Sequence, residues 1–182
     1  MKMRWFFLII GSCAFLTSVA SAAPRPPCTA AVRGWLQAVE AVPSAAELTR
    51  AGGPHLVADL ATVIGNSAEK TYARHRAVAF LGLLPNAAAT AALRKNLHNG
   101  DEGLRATAAL AWGSGPAARG EAGANKQLTE LLKDSQRSVR AAAVRGLGFA
   151  ADKANARAVL TQQQRTETDL EVLAQIRTVL AR

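Results

Sequence analysis

The stretch SVRAAAVRGLG, residues 138–148, decides the fold. Two earlier stretches repeat its pattern: HRAVAFLGLL begins at His75 and LRATAALAWG begins at Leu104. Each has an arginine near its start, followed by small and apolar residues. In residues 138–148 these side chains fall at i, i+3, i+4, i+7 and i+8, which is one face of an α-helix. They are Val139, Ala142, Ala143, Gly146 and Leu147. Three related phrases therefore predict three similar helices.

The spacing of the phrases indicates a repeated unit. Aligned on Ala79, Ala108, Ala143 and Ala174, they recur at intervals of 29, 35 and 31 residues, which is the range of stacked helical pairs. A shorter segment with leucine or valine at helical spacing precedes each phrase, and turn residues separate the two. The sequence predicts an all-α fold of four helical hairpins. The predicted hairpins cover residues 54–84, 86–113, 122–149 and 153–182.

The segment ahead of the first hairpin predicts a capping helix over about residues 29–41. Its apolar face would contain Val32, Trp35, Leu36 and Val39. Residues 23–28, which contain PRPP, are typical of an extended lead-in. The stretch GSGPAARG at 113–120 is predicted to be a long flexible turn.

The composition favours closely packed helices over a β-sandwich. Hydrophobic residues make up 49% of the 182 residues but aromatic residues only 5%, so the apolar content is largely Ala, Leu and Val. Lysine and arginine number 22 against 13 acidic residues. This excess suits an anionic partner, or simply good solubility.

The first residues have the pattern of a secretory signal peptide. Lys2 and Arg4 precede an apolar core, and the small residues of ASA at 20–22 form a cleavage signal. We predict cleavage after Ala22, with a lipoprotein signal at Cys13 as a minor alternative. Removing the two cations lowers the formal net charge from +9 to +7. The expected location is the periplasm or the extracellular space, with no stable membrane span after cleavage.

Cleavage would leave Cys28 as the one cysteine of the mature chain, so the fold must be stable without an internal disulfide. Cys28 follows the proline-rich lead-in and is interpreted as a tolerated thiol near a flexible end. Pairing between two molecules stays open.

The pattern LTELLKDSQRSVRAAAVRGLG, residues 128–148, resembles a HEAT repeat of the short kind found in phycobilin-lyase-type proteins. The resemblance extends over nearly all of residues 54–182 and is strongest at 122–149. It implies a right-handed α-α superhelix, a solenoid of helical hairpins in which first helices line one surface and second helices the other. It implies an interaction scaffold rather than a particular activity.

The resemblance also implies a role for the repeated arginines. A cation in the first turn of a helix is disfavoured by the helix dipole, and HEAT-like arrays carry a ladder of Asp–Arg pairs along the turns. The expected pairs are Asp134–Arg140, Asp101–Arg105 and, as a poorer match, Glu69–Arg76, with Glu171 in the arginine position of the last repeat. The leading interpretation is that the ladder holds the repeats together, and the alternative is binding. The candidate binding residues are Arg74, Arg76, Arg105, Arg140 and Arg145, of which Arg145 is expected to face solvent.

Catalytic and metal-binding patterns are poor. The residues after His55, His75 and His98 do not form the His-Glu dipeptides of HEAT-like metal hydroxylases, and the histidines have no ligand spacing with a cysteine or an acid. His75, on the predicted apolar face, is interpreted as a core residue with its hydrogen bonds satisfied. The G-x-G at Gly113 follows a helix rather than a strand, which argues against a phosphate loop. We therefore expect no catalytic residue, metal or cofactor.

Two functions are compatible with the sequence. The first is a non-enzymatic scaffold or adaptor that binds a protein partner in the cell envelope or outside the cell. The second is a basic protein that binds envelope polyanions, such as lipopolysaccharide or an acidic glycan, or a lipid headgroup. A nucleic-acid partner is not expected of an exported protein. An enzyme on this scaffold remains a minor alternative.

Overall fold

A computed structural model describes residues 28–182, and every regular element in this range is a helix. The all-α fold class predicted from the sequence is confirmed. The predicted signal peptide, with Cys13, and residues 23–27 of the lead-in lie outside the described residues. In chain order the helices are α1 (Ala30–Gln37), α2 (Ala45–Gly52), α3 (Leu56–Gly65), α4 (Thr71–Leu83), α5 (Ala87–Asn96), α6 (Glu102–Trp112), α7 (Ala124–Leu131), α8 (Arg137–Phe149), α9 (Lys153–Gln164) and α10 (Leu170–Leu180).

The second helix of each pair forms the centre of the stack. The second helices pack side by side in the order α4, α6, α8 and α10. Each contacts its neighbour more extensively than neighbouring first helices contact each other. Helix α1 also packs against α4 and so occupies the place of a second helix at the front. The short turns within each pair make its two helices antiparallel neighbours. The result is a layered array in which each pair buries its apolar face against the next.

The buried positions correct the alignment of the first repeat. In α4 the buried small and apolar side chains include Ala73, Ala77 and Leu81, whereas Ala79 is exposed. Their counterparts in α6 are Leu104, Ala108 and Trp112. The interval between these two helices is therefore 31 residues rather than 29. The interval of 35 residues between α6 and α8 is correct, because Val139, Ala143 and Leu147 are all fully buried.

The last repeat is shifted in the same way. Val172 and Ile176 are fully buried and stand 33 residues after Val139 and Ala143, whereas Ala174 is exposed. The alignment on Ala174 is thus wrong by two residues. Leu173, not Glu171, is the counterpart of Arg140.

The front of the array differs from the predicted single capping helix. Helix α1 ends at Gln37, and Val39 lies beyond it with 80% of its surface exposed, so Val39 is not part of the apolar face. A second helix, α2, follows after a non-helical segment at residues 38–44. The side chain of Ser44 accepts a hydrogen bond from Glu47 N–H, and Glu47 bonds back to Ser44 N–H. This reciprocal capping box begins α2.

Only residues 118–120 of the predicted turn at 113–120 form a turn. Residues Gly113–Ala117 continue α6 as a π-helical turn, and all of them except Ser114 are buried. A Cβ atom on Gly113 would lie 2.2 Å from the Cα of Gly146, and one on Gly115 would lie 2.3 Å from the carbonyl oxygen of Gly82. These glycines are required because the backbones of neighbouring repeats touch at this point.

Cys28 is the first of the described residues. Its side chain is buried, with 7% exposure, and its backbone has a φ of 70°. The burial of this thiol was not predicted from the sequence.

Candidate interaction surface and the arginine ladder

Among residues 28–182, four arginine–carboxylate pairs run along the array, and each joins one repeat to the next. An arginine in the first turns of one helix meets an acid in the turn before the following second helix. The pairs are Arg33–Glu69, Arg74–Asp101, Arg105–Asp134 and Arg140–Glu167, at 2.6, 3.7, 3.0 and 3.0 Å. The predicted ladder exists, but its pairs connect different residues from those expected.

The expected pair Asp101–Arg105 is wrong. Arg105 donates from Nε and Nη2 to the two carboxylate oxygens of Asp134, at 3.0 and 3.3 Å. Its Nη1 donates to the carbonyl oxygen of Asn99 at 2.7 Å, in the turn that precedes its own helix. The arginine thus closes its own turn with one end of the guanidinium and holds the next repeat with the other.

The expected pair Asp134–Arg140 is wrong in the same sense. Arg140 donates to both carboxylate oxygens of Glu167, at 3.0 and 3.1 Å, and reaches Asp134 only through its backbone carbonyl, at 3.0 Å. The Glu167 side chain is 3% exposed and that of Arg140 is 16% exposed. Such a bidentate, nearly buried pair is stronger than an ordinary surface ion pair.

The electrostatics of the two buried acids follow from these contacts. Burial of the Asp134 carboxyl group acts to raise its pKa, but hydrogen bonds from Arg105 and from Gln136 N–H outweigh it and leave the pKa below its usual value. Burial acts on Glu167 in the same way, and hydrogen bonds from Arg140, Asp169 N–H and Gln163 lower its pKa. Both acids are therefore ionised at neutral pH and serve as fixed partners for the arginines.

The ladder ends at the last described repeat. Leu173 stands in the position of Arg140, so α10 has no cation at the ladder position. Glu171 instead pairs with Arg137 at 3.3 Å, and both side chains are largely exposed, at 70% and 66%. The predicted change of sign at Glu171 is therefore wrong, because Glu171 is not the counterpart of the ladder arginines.

Arg74 and Arg76 have different roles although only one residue separates them. Arg74 is the ladder residue of α4, and its Nε donates to the carbonyl oxygen of Ile64 at 2.9 Å. Arg76, which the sequence aligned with the ladder, instead lies between two aromatic rings. Its guanidinium carbon is 5.4 Å from the centre of the Tyr72 ring and 5.2 Å from that of Phe80. The predicted pair Glu69–Arg76 is wrong, since Glu69 binds Arg33.

Arg76 and Tyr72 hold the segment at residues 38–44 against α4. The Tyr72 hydroxyl donates to the carbonyl oxygen of Ala38 at 3.0 Å, and Arg76 Nη2 donates to the carbonyl oxygen of Ala41. Ala38 and Ser44, at the two ends of the segment, have extended backbone conformations. The segment is thus held through its backbone carbonyl groups on the exposed side of a second helix.

An apolar cavity adjoins this segment on the same side of the array. It has a volume of about 220 Å³ and lies between α4, α6 and Val42. Its lining includes Ala79, Leu83 and Leu110, and also Arg76. Val42 is 72% exposed and Leu83 is 39% exposed. We call this cavity, together with the exposed sides of α4, α6 and α8, the second-helix surface.

Arg145 lies on the same surface, one repeat further along. Its position in α8 corresponds to that of Leu110 in α6 and Ala79 in α4, at intervals of 35 and 31 residues. The side chain is exposed, and no carboxylate within residues 28–182 pairs with it. The surface therefore has an exposed cation at α8, one repeat beyond the largely apolar cavity at α4 and α6.

Tyr72, Phe80 and the segment at 38–44 were not predicted from the sequence. A signal was nevertheless present, because Tyr72, Arg76 and Phe80 stand at i, i+4 and i+8, which places them on one side of a helix. Aromatic residues are scarce in this chain, so two of them beside one arginine were informative.

The described residues bring together no recognisable catalytic or metal-binding group. Residues 28–182 contain no cluster of three or more His, Cys, Asp or Glu side chains that could hold a metal ion. His75 is half-buried rather than part of the core, and its Nδ1 is 2.7 Å from the Thr107 hydroxyl oxygen. No helix in the same range is both long enough and apolar enough to cross a membrane.

Stacked helix pairs, joined from one repeat to the next by arginine–carboxylate pairs, define an α-solenoid. The chain belongs to the HEAT-repeat family: the family described as HEAT repeats matches residues 57–147, which is half of its length. Members of this family are generally non-enzymatic scaffolds for protein interaction. A comparison with curated proteins found no match.

Proposed function

We propose that this protein is an exported, non-enzymatic scaffold that binds an extended segment of a protein partner on its second-helix surface. The observation that carries the proposal is the way α4 holds residues 38–44. Tyr72 and Arg76 bind carbonyl groups of that segment and not its side chains. A surface that binds backbone carbonyl groups of its own chain has the chemistry to bind those of another.

The cavity beside Val42 indicates which partner side chain fits. Ala79, Leu83 and Leu110 form an apolar lining next to Val42 of the bound segment. Arg76 also lines the cavity, and its guanidinium already donates to the Tyr72 hydroxyl and to the carbonyl oxygen of Ala41. A partner with an apolar side chain in the cavity, beside the segment at residues 38–44, would match this lining.

Arg145 indicates the charge of the partner. It lies one repeat beyond the cavity, exposed and without a carboxylate partner in the described part of the chain. An acidic residue in the partner, on the α8 side of its apolar residue, would match this charge. The proposed occupant is therefore an extended protein segment with an apolar residue followed by an acidic one.

Of the five candidate binding arginines, this proposal retains Arg76 and Arg145. Arg74, Arg105 and Arg140 already have carboxylate partners within the array. The envelope or extracellular location rests on the leader pattern of residues 1–22.

Site-specific photocrosslinking in the native envelope tests the proposal. A photoreactive residue at Leu83 should crosslink one protein, whereas the same residue at Ala91, exposed on the first helix α5, should not. The crosslinked segment, made as a synthetic peptide, should bind the purified protein, and Arg145→Glu should weaken that binding about tenfold or more.

Equal crosslinking from Leu83 and Ala91 would contradict the proposed surface. Binding of lipopolysaccharide that weakens steeply with salt and is lost in Arg145→Glu, without a protein crosslink, would instead support the polyanion function.

A further inference from the structure

We propose a second binding site, at the junction of α8, α9 and α10, for a small single-chain amphiphile with an anionic head. A cavity of about 390 Å³ lies at this junction, within the range of about 300–1,000 Å³ that is usual for small-molecule sites. Its apolar lining includes Leu147, Ala156, Leu160 and Val179. The cavity is separate from the second-helix surface, and the inference does not depend on the proposed protein partner.

The cavity exists because a leucine occupies a position where the preceding repeat has a tryptophan. Leu147 stands 35 residues after Trp112. The Trp112 indole is buried, and its Nε1–H donates to the carbonyl oxygen of Ala124 at the start of α7, at 3.0 Å. In the next repeat Ala156 is the counterpart of Ala124, and it lines the cavity. The space that an indole fills at one junction is therefore open at the next.

Where Trp112 of α6 packs against α7, a cation accompanies the buried ring. The Arg94 guanidinium carbon lies 5.4 Å from the centre of the Trp112 ring, so a cation lies over the buried ring. At the open junction three cations line the cavity: Lys153 and Arg157 of α9, and Arg182 beyond the end of α10. None of the described residues that line it is acidic.

The cations retain the capacity to bind an anion. The Lys153 ammonium donates one hydrogen bond, to the carbonyl oxygen of Gly148 at 2.7 Å, and an ammonium has three donors. The neighbouring carboxylate of Asp152 caps α9 by accepting from Asn155 N–H at 3.0 Å. Among residues 28–182, neither Arg157 nor Arg182 takes part in a side-chain ion pair.

Together these features specify the ligand by its two parts. The apolar lining fits an aliphatic or aromatic body of modest size, in place of the missing indole. The surrounding cations fit one carboxylate or phosphate group at the mouth of the cavity. A neutral amphiphile would leave the cations without a partner, and a cationic one would be repelled.

Titration of the purified protein with octanoate, octyl phosphate and octylamine, followed by NMR, tests the site. The two anions should shift the amide signals of Gly148 and Ala156, and octylamine should not. Comparing the two anions distinguishes a carboxylate from a phosphate head. Arg157→Gln should weaken binding of the preferred anion about tenfold. Arg165→Gln, an exposed change just beyond the end of α9, is the matched control and should have no effect.

Leu147→Trp provides an independent test because it rebuilds the Trp112 arrangement in the cavity. The variant should lose octanoate binding while its spectrum remains that of a folded protein. Equal shifts with octylamine, shifts confined to other residues, or unchanged binding in Arg157→Gln would overturn the proposal. If Leu147→Trp does not fold, the effect of Arg157→Gln on binding still tests the proposal.

Discussion

Arg140 binds Glu167, 27 positions further along the chain, through two hydrogen bonds of 3.0 and 3.1 Å. The pair joins α8 to the turn before α10, so its contribution belongs to the interface between two repeats. In a solenoid such nearest-neighbour contacts determine whether the repeats unfold together. The repeated arginine of the sequence is thus a structural link between units.

We predict that Glu167→Gln destabilises the protein by roughly 1.5–3 kcal/mol, because Arg140 loses its charged partner in a nearly buried position. Glu171→Gln is the matched control. It removes one partner of an exposed pair, and the change should be below about 1 kcal/mol. Urea unfolding followed by circular dichroism measures both. Equal losses in the two variants would show that burial of the pair does not matter.

The lowered pKa values of Asp134 and Glu167 predict how stability depends on pH. A carboxylate with a lower pKa in the folded state contributes stability that is complete above its unfolded pKa and is lost as the pH falls through the folded value. Stability should therefore start to fall near pH 4.5, the ordinary pKa of glutamate, and continue to fall below 3.8, that of aspartate.

Glu167→Gln should flatten this acid dependence, since glutamine does not titrate. Unfolding free energies of both proteins, measured from neutral pH into the acid range, should converge as the pH falls. Two parallel curves would contradict the assignment of the pKa shift to Glu167.

The glycine contact between repeats gives a third prediction. Gly113→Ala should destabilise the protein by about 1–3 kcal/mol or more, because the new Cβ would lie 2.2 Å from the Cα of Gly146. Gly34→Ala is the control, at an exposed position within α1 where a Cβ meets no atom within 4 Å. It should stabilise the protein by about 0.5–1 kcal/mol. Thermal unfolding compares the two, and an unchanged melting temperature in Gly113→Ala would mean that the backbones are not in contact.

The helical periodicity of the sequence was sufficient for the fold class and for the three central second helices. It was not sufficient for the register of α4, because Ala77 and Ala79 flank Val78 and either alanine satisfies the pattern. The sequence alignment of the three stretches favoured Arg76 as the ladder residue. The burial of Ala73 and Ala77 instead places Arg74 at the ladder position. Periodicity measures the spacing of apolar residues and does not indicate which of two similar sets faces the neighbouring repeat.

The partners of the arginines could not be predicted from local sequence. Asp134 is six positions from Arg140, but the Arg140 guanidinium extends across the interface to Glu167. The packing of α8 against α10 determines which acid Arg140 meets, and the local sequence does not contain this information. Likewise, the role of Tyr72 depends on the path of residues 38–44, which follows from the early end of α1 at Gln37.

A double-mutant cycle on Arg140 tests the central claim most directly. Unfolding free energies are measured for Arg140→Ala, Glu167→Gln and the double variant, and in parallel for Arg140→Ala combined with Asp134→Asn. The ladder between repeats predicts a coupling energy of about 1–3 kcal/mol for Arg140 with Glu167 and less than about 0.5 kcal/mol for Arg140 with the Asp134 side chain. A larger coupling with Asp134 than with Glu167 would contradict the account, because it would place the pair within a single repeat.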